Sequence, residues 1–233
     1  MSDLVSRQTL QEMRSYYNER AREYDEWFYC RGRYDRGPKL NACWFAEVEE
    51  VVAALEVWNL EGDILELAPG TWLWTERLVH TASTLTAVDA SDEMIAINRA
   101  RVHSERVAYV LGDLFTWRPD RLYDAVFFGF WLSHVPLERP DALLSSVTGV
   151  LRPGGKLFFV DSRREPTSTA ADHQLSEPDS QVMTRILNDG RTFEIMKNFY
   201  GPDDLPSRCL RAGLEVTVRD PATYFLYGYG IRR

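Results

Sequence analysis

Cysteine is scarce in this chain. Cys30, Cys43 and Cys209 are odd in number and far apart, which argues against a disulfide framework or a zinc ligand set and predicts unpaired thiols in a reducing compartment. Long hydrophobic runs are missing too. The longest, Ala125 to Leu132, is far short of the ~20 residues a bilayer span needs. The opening stretch, Met1 to Gln11, is polar and has no apolar signal core. These absences predict a cytoplasmic protein with no membrane partner. Clustered positive charge is also lacking: the formal net charge is −8, and basic residues gather only into doublets such as Arg163-Arg164. That disfavours nucleic acid as a partner, because phosphate binding rests on grouped Lys and Arg. What the chain does have is a 45% hydrophobic content over 233 residues, enough for one large α/β domain.

Apolar spacing divides the chain into elements. Thr9 to Tyr29 carries a helical pattern with Met13, Tyr16, Tyr17, Ala21, Tyr24, Trp27 and Phe28, most of its aromatics falling on one face. Arg31 to Pro38 breaks it with Gly and Pro. Asn41 to Val57 reads as a second amphipathic helix with Trp44, Phe45, Val48, Val51, Val52 and Leu55 as its buried stripe. From Asp63 the rhythm changes to short apolar strands alternating with helices. Strands are predicted at 63–67, 84–88, 107–111, 123–128 and 155–160, and helices at 92–101 and 140–151. Such alternation implies a parallel sheet covered on both faces. Ser162 to Pro178 reads as a loop or lid. Strands are expected again at 191–197, 214–219 and 224–230, with a helix over 203–212, and the turn at Asp220-Pro221 predicts a closing antiparallel hairpin.

The segment from Asp63 to Thr75, DILELAPGTWLWT, runs from a strand through a small-residue turn into a helix. Such turns let backbone approach a ligand and offer free N–H groups. Asp89 ends the next strand, about twenty residues on, where an acidic side chain can accept from a ribose diol. Gly112-Asp113-Leu114 follows the third strand, Gly129 to His134 the fourth, and Leu151-Arg152-Pro153-Gly154-Gly155 leads into the fifth. In this order and spacing the chain resembles the class I S-adenosylmethionine-dependent methyltransferases, closely over Asp63 to Asp161. More loosely, Tyr17 to Asp25 looks like the cap of the small-molecule members.

The resemblance implies a Rossmann-like, seven-stranded, mostly parallel sheet with helices on both faces, an antiparallel C-terminal hairpin and an N-terminal helical cap. It divides a single domain, 1–233, into a cap and leading helix (1–60), a cofactor-binding core (61–162), and a lid with the C-terminal strands (163–233). It implies S-adenosylmethionine as cofactor and S-adenosylhomocysteine as product. Carried over residue by residue, Glu66, Ala68 and Gly70 lie along the methionine part. Asp89 and Ala90 lie at the ribose, and Met94 packs on the adenine. Gly112, Asp113 and Leu114 meet the adenine edge, Phe130 borders the site, and Tyr24 closes over the methionine end.

One position departs from the family. Its loop ordinarily reads small-x-Gly-Thr-Gly, and Trp72 replaces the last glycine. Glycine is favoured there because a side chain points at the cofactor or forces the backbone away. The indole either swings aside under the cap, or fills the pocket, or reshapes it for another cofactor or substrate, as an engineered or selected change would. The second and third readings leave a non-methylating catalyst or a binding protein, and a further alternative is an interaction module built on the N-terminal helices.

The expected reaction is methyl transfer to a small organic acceptor. His134, after the fourth strand, is the candidate general base for a protonated acceptor. Tyr16, Tyr17, Trp27, Trp131 and Tyr200 are the candidate acceptor-pocket residues, and their aromatic character favours a flat or apolar acceptor. Arg20, Arg31 and Arg33 are placed either to orient an acid group or, as the preferred reading, to stand as solvated surface charge. No metal site is expected.

Overall fold

The computed structural model describes residues 7–119 and 121–233, so Met1 to Ser6 of the polar opening stretch lie outside it. In chain order the elements are α1 (Arg7–Arg20), α2 (Tyr24–Phe28), α3 (Pro38–Trp58), β1 (Gly62–Leu67), α4 (Leu73–Thr81), β2 (Ala82–Asp89), α5 (Asp92–Val102) and β3 (Val107–Leu111). They continue with β4 (Tyr123–Gly129), α6 (Pro140–Val150), β5 (Leu151–Ser162), β6 (Val182–Ile186), β7 (Thr192–Met196), α7 (Asp204–Arg211), β8 (Leu214–Arg219) and β9 (Phe225–Arg232).

The seven-stranded sheet has the order β3-β2-β1-β4-β5-β9-β8. Its first five strands are mutually parallel, and β9 runs antiparallel to both β5 and β8. The C-terminal hairpin is therefore the one expected from the turn at Asp220-Pro221. The strand order reverses between β1 and β4, which opens a crevice beyond their carboxyl ends.

Alternation along the strands feeds two cores. Leu65, Leu67, Val126, Phe128, Leu157 and Phe159 face one layer, with Leu144 and Val147 of α6, Leu205 of α7, and Met13 and Tyr16 of α1. Ile64, Ala125, Phe127, Phe158 and Val160 face the other, with Trp44 and Val51 of α3 and Trp74 and Leu78 of α4. Phe128 stacks on Phe159 at 5.3 Å and Phe127 on Phe158 at 6.1 Å. Burying each such ring stabilises the fold by about 2–3 kcal/mol.

Three expectations change. The single helix expected over 9–29 is two, α1 and α2, because tight bonds from Ala21 N–H to Asn18 O and from Glu23 N–H to Arg20 O end the first. The strand expected at 191–197 does not join the main sheet; as β7 it pairs with β6, a strand not anticipated, in a separate antiparallel ribbon. Phe45, assigned to the buried stripe of α3, is 36% exposed. Glu47 is buried in that turn instead, and its carboxylate accepts from the backbone N–H groups of Thr223, Tyr224 and Phe225 at 2.8, 2.8 and 3.3 Å. It satisfies the start of β9, a demand invisible to the helix's own periodicity. Pro38 at the first turn and left-handed Asn59 past the last bound this helix. Among the described residues no helix is long and apolar enough to cross a membrane.

Candidate active site

Two cavities open at the carboxyl ends of the parallel strands. The first is a cleft with a volume of about 120 Å³. The turn after β1 supplies Ala68 and Gly70, with φ of 53° and 59°, and Phe130 after β4 has φ of 56°. Left-handed backbone at non-glycine residues is costly and gathers at functional sites. Asp89, at the end of β2, is 9% exposed. Its carboxylate accepts from Ser91 N–H at 2.9 Å and Gly70 N–H at 3.4 Å. Burial pushes its pKa up to about 6 despite those bonds. Ser91 caps α5 by accepting from Met94 N–H, which seats the 2% exposed Met94 against the cavity. On the opposite rim Asp113 accepts from Phe115 N–H and from Arg14 of α1, the latter at 3.0 Å.

The second cavity, of about 50 Å³, shares Tyr17, Tyr24, Phe130 and His134 with the first. Its lining includes three cations and no carboxylate. Arg20, 8% exposed, lies over the rings of Tyr24, Tyr16 and Tyr34 at 4.9, 5.5 and 5.9 Å and donates to the Tyr34 hydroxyl. Arg185, on β6, donates to Thr169 Oγ1 at 2.8 Å. Lys197, just past β7, donates to Ser133 Oγ and Ser162 Oγ at 2.7 and 2.6 Å, and pairs with Asp161 at 3.5 Å. Burial pushes its pKa down to about 8, partly opposed by Asp161. Among the described residues, Arg20 and Arg185 have no carboxylate partner.

Between the cavities His134 Nδ1 lies 2.5 Å from the Met196 carbonyl oxygen, which can only accept, so the proton sits on Nδ1. Nε2 then accepts from the Tyr17 hydroxyl at 2.7 Å. Burial, reinforced by the charge of Lys197, holds the His134 pKa well below its usual value, and burial raises that of Tyr17 well above. Both are neutral.

Of the residues expected at the cofactor, Tyr24, Ala68, Gly70, Asp89, Ala90, Met94, Asp113, Leu114 and Phe130 line the first cavity. Glu66 does not: it is fully buried beneath the turn, with both carboxyl oxygens unpartnered, and burial lifts its pKa to about 8. Gly112 also stands back, its α-carbon against Trp117, where a Cβ would meet the indole at 3.1 Å. Leu10, Met13 and Arg14 of α1, with Ser91, Phe115 and Gly129, also line the first cavity. Of the expected acceptor residues, Tyr17 and Trp27 line the second cavity. Trp131 lines the first, whereas Tyr16 is packed in the core and Tyr200 lines neither. Arg20 is not solvated surface charge but a buried cation, and Arg33 is tied to Asp172 and the Ile186 carbonyl. Among the described residues no His, Cys, Asp and Glu group is placed to hold a metal.

Trp72 keeps a backbone that glycine adopts most readily, φ 157° and ψ −25°. Its side chain lines neither cavity but borders a small adjoining pocket with Asp25 and Tyr29, which shares Tyr24, Ala68, Gly70 and Phe130 with the first cavity. The indole has swung aside, leaving the cofactor cavity open.

Comparison with known proteins agrees with this geometry. A family model described as "Methyltransferase domain" matches residues 64–155. The structure superposes on the "DhpI-SAM-HEP complex" with a TM-score of 0.79 and 36% identity, covering 97% of this chain and 99% of that one. It superposes on the "DhpI-SAH complex structure" with a TM-score of 0.77 and 34% identity, covering 97% and 98%. A curated relative, a ubiquinone biosynthesis O-methyltransferase of Xanthomonas euvesicatoria, is 29% identical over 160 residues, 66% of this chain; the chain spans 62% of that relative's length. The chain belongs to the class I S-adenosylmethionine-dependent methyltransferases. S-adenosylmethionine is the methyl donor of that class, and the buried Asp89 carboxylate beside the left-handed Gly70 is a donor set that fits it.

Proposed function

We propose that this protein transfers a methyl group from S-adenosylmethionine to an oxygen of a small organic acid, bound as its anion. The carrying observation is the convergence of Arg20, Arg185 and Lys197 on the cavity next to the cofactor, with only Asp161 to offset them. Uncompensated buried cations are costly, and an anionic acceptor supplies the missing charge. Oxygen as the methylated atom is supported by the O-methyltransferase relatives. The flat, apolar acceptor expected from the aromatics alone gives way to an acid held in an aromatic frame.

The cofactor supplies an electrophilic methyl on a cationic sulfur. Tyr24, in both cavities, and Gly70 close the methionine end, and Asp89 receives the ribose. The arginines and Lys197 orient the acid so that one oxygen attacks in line. With S-adenosylmethionine bound, the O–C bond would form as the S–C bond broke, the electron pair would stay on sulfur, and the acid would lose one negative charge. No proton moves, so no general base is required. His134 holds Tyr17 in place instead, because its Nε2 lone pair is engaged and protonation is opposed by burial and by Lys197.

A labelled-methyl assay comparing small acids with their amides or esters tests this. Acids should be turned over, and Arg185→Gln should raise KM for them by on the order of 30-fold, about 2 kcal/mol, with kcat changed far less. Faster turnover of neutral phenols or amines, indifferent to Arg185→Gln, would sink the reading.

A further inference from the structure

The position that departs from the family carries a second role. Asp25, on α2 of the cap, accepts from Thr71 Oγ1 of the cofactor turn at 2.5 Å with one carboxylate oxygen. Its other oxygen pairs with Arg101 near the end of α5. The Arg101 guanidinium lies 5.7 Å from the centre of the Trp72 ring. A planar cation stacked on an indole loses little more freedom when it also grips a carboxylate. The four side chains thus join three separate pieces of chain: cap, cofactor turn and α5.

What that junction holds is the neighbour of Asp25. Tyr24 lines both cavities, and its Cε1 comes within 3.8 Å of where Gly70 would carry a Cβ. Tyr24 and Asp25 share the first turn of a five-residue helix, so anchoring one fixes the other. A glycine at 72 would offer Arg101 nothing to rest on.

We propose that Trp72, Arg101 and Thr71 are positioning residues that bolt the cap to the cofactor turn through Asp25, hold Tyr24 over the methionine end, and set the rate at which cofactor and product escape. The bolt rests on the cofactor site alone and not on the nature of the acceptor. It also gives Trp72 a reason to stand where glycine is the easier residue: the chain accepts a costly backbone at one position and gains a closed cap.

The test is the release rate of tritiated S-adenosylhomocysteine on dilution, which needs no acceptor. Trp72→Gly and Asp25→Asn should each release it at least tenfold faster than wild type. Trp72→Phe, which keeps an aromatic face for Arg101, should stay within about threefold. Hydrogen exchange over 21–30 with saturating S-adenosylhomocysteine should be faster in the first two variants and near wild type in the third. A merely structural loss would not be rescued by phenylalanine. Release within twofold of wild type in both Trp72→Gly and Asp25→Asn would overturn the bolt, as would Trp72→Phe behaving like Trp72→Gly. Should either variant fold poorly, Arg101→Gln, altering an exposed arm of the junction, takes its place with the same expected acceleration. Wild-type protein that took up no S-adenosylhomocysteine would overturn the bolt and the cofactor site together, an outcome separate from unchanged release.

Discussion

The Tyr17 hydroxyl donates to His134 Nε2 across 2.7 Å while His134 donates from Nδ1 to the Met196 carbonyl. The chain of bonds runs one way, from cap to β7, and leaves no basic lone pair facing the acceptor. Tyr17→Phe and His134→Gln should therefore each lower turnover by on the order of tenfold, and the double variant should lose little more, because coupled partners are not additive. The kcat profile should stay flat between pH 6 and 7. An ionisation near 6.5 that disappears in His134→Gln would restore the histidine as base.

Lys197 should impose the alkaline limit. Its charged form persists below a pKa of about 8 and is lost above it. The value of kcat/KM for an acid acceptor should accordingly fall about tenfold per pH unit beyond that point. Lys197→Arg, whose guanidinium stays charged, should shift the fall by more than one unit upward. A limb unmoved by that change would have to belong to another group.

Glu66 gives a stability signature of its own. Its pKa is raised to about 8 in the fold, against ~4.3 in an unfolded chain. The folded state therefore binds the extra proton between these values, and stability falls as pH rises through that window. Glu66→Gln removes the effect and should gain on wild type by roughly 3 kcal/mol between pH 5 and pH 8. Urea midpoints at the two values would reveal it. Parallel profiles would mean that the carboxyl ionises in the fold as freely as in water.

Glu47 anchors the opening of β9 to α3 through three backbone donors. Glu47→Ala should cost on the order of 2–3 kcal/mol, and Glu47→Gln less, since one oxygen can still accept. Thermal melting decides: an alanine variant with an unchanged midpoint would show that water replaces the carboxylate at no loss.

The sheet was legible because its signals are local. Runs such as Asp63 to Leu67 and Val107 to Leu111 end at turns that announce themselves, and Asp89, Met94 and Asp113 follow at short distances along the chain. The acceptor side was not. Arg20 sits on a polar helix, and Arg185 and Lys197 lie far downstream with ordinary neighbours; nothing nearby in sequence marks them as inward. Their burial depends on β6 pairing with β7 instead of β7 joining the sheet. Glu47 was missed, and Phe45 wrongly preferred, for a related reason: the partner that buries the carboxylate is 176 residues away. Trp72 could be noticed but not oriented, because the guanidinium that lies against its ring, that of Arg101, comes from another element.

Putting β6 and β7 in a ribbon of their own separates two jobs that many enzymes build into one frame. The turns of the main sheet line the first cavity, whereas Arg185 and Lys197 ride on the appended ribbon and its exit. The ladder of the seven-stranded sheet does not run through that ribbon. Two of the three cations of the second cavity thus hang on a segment whose own pairing owes nothing to the main sheet.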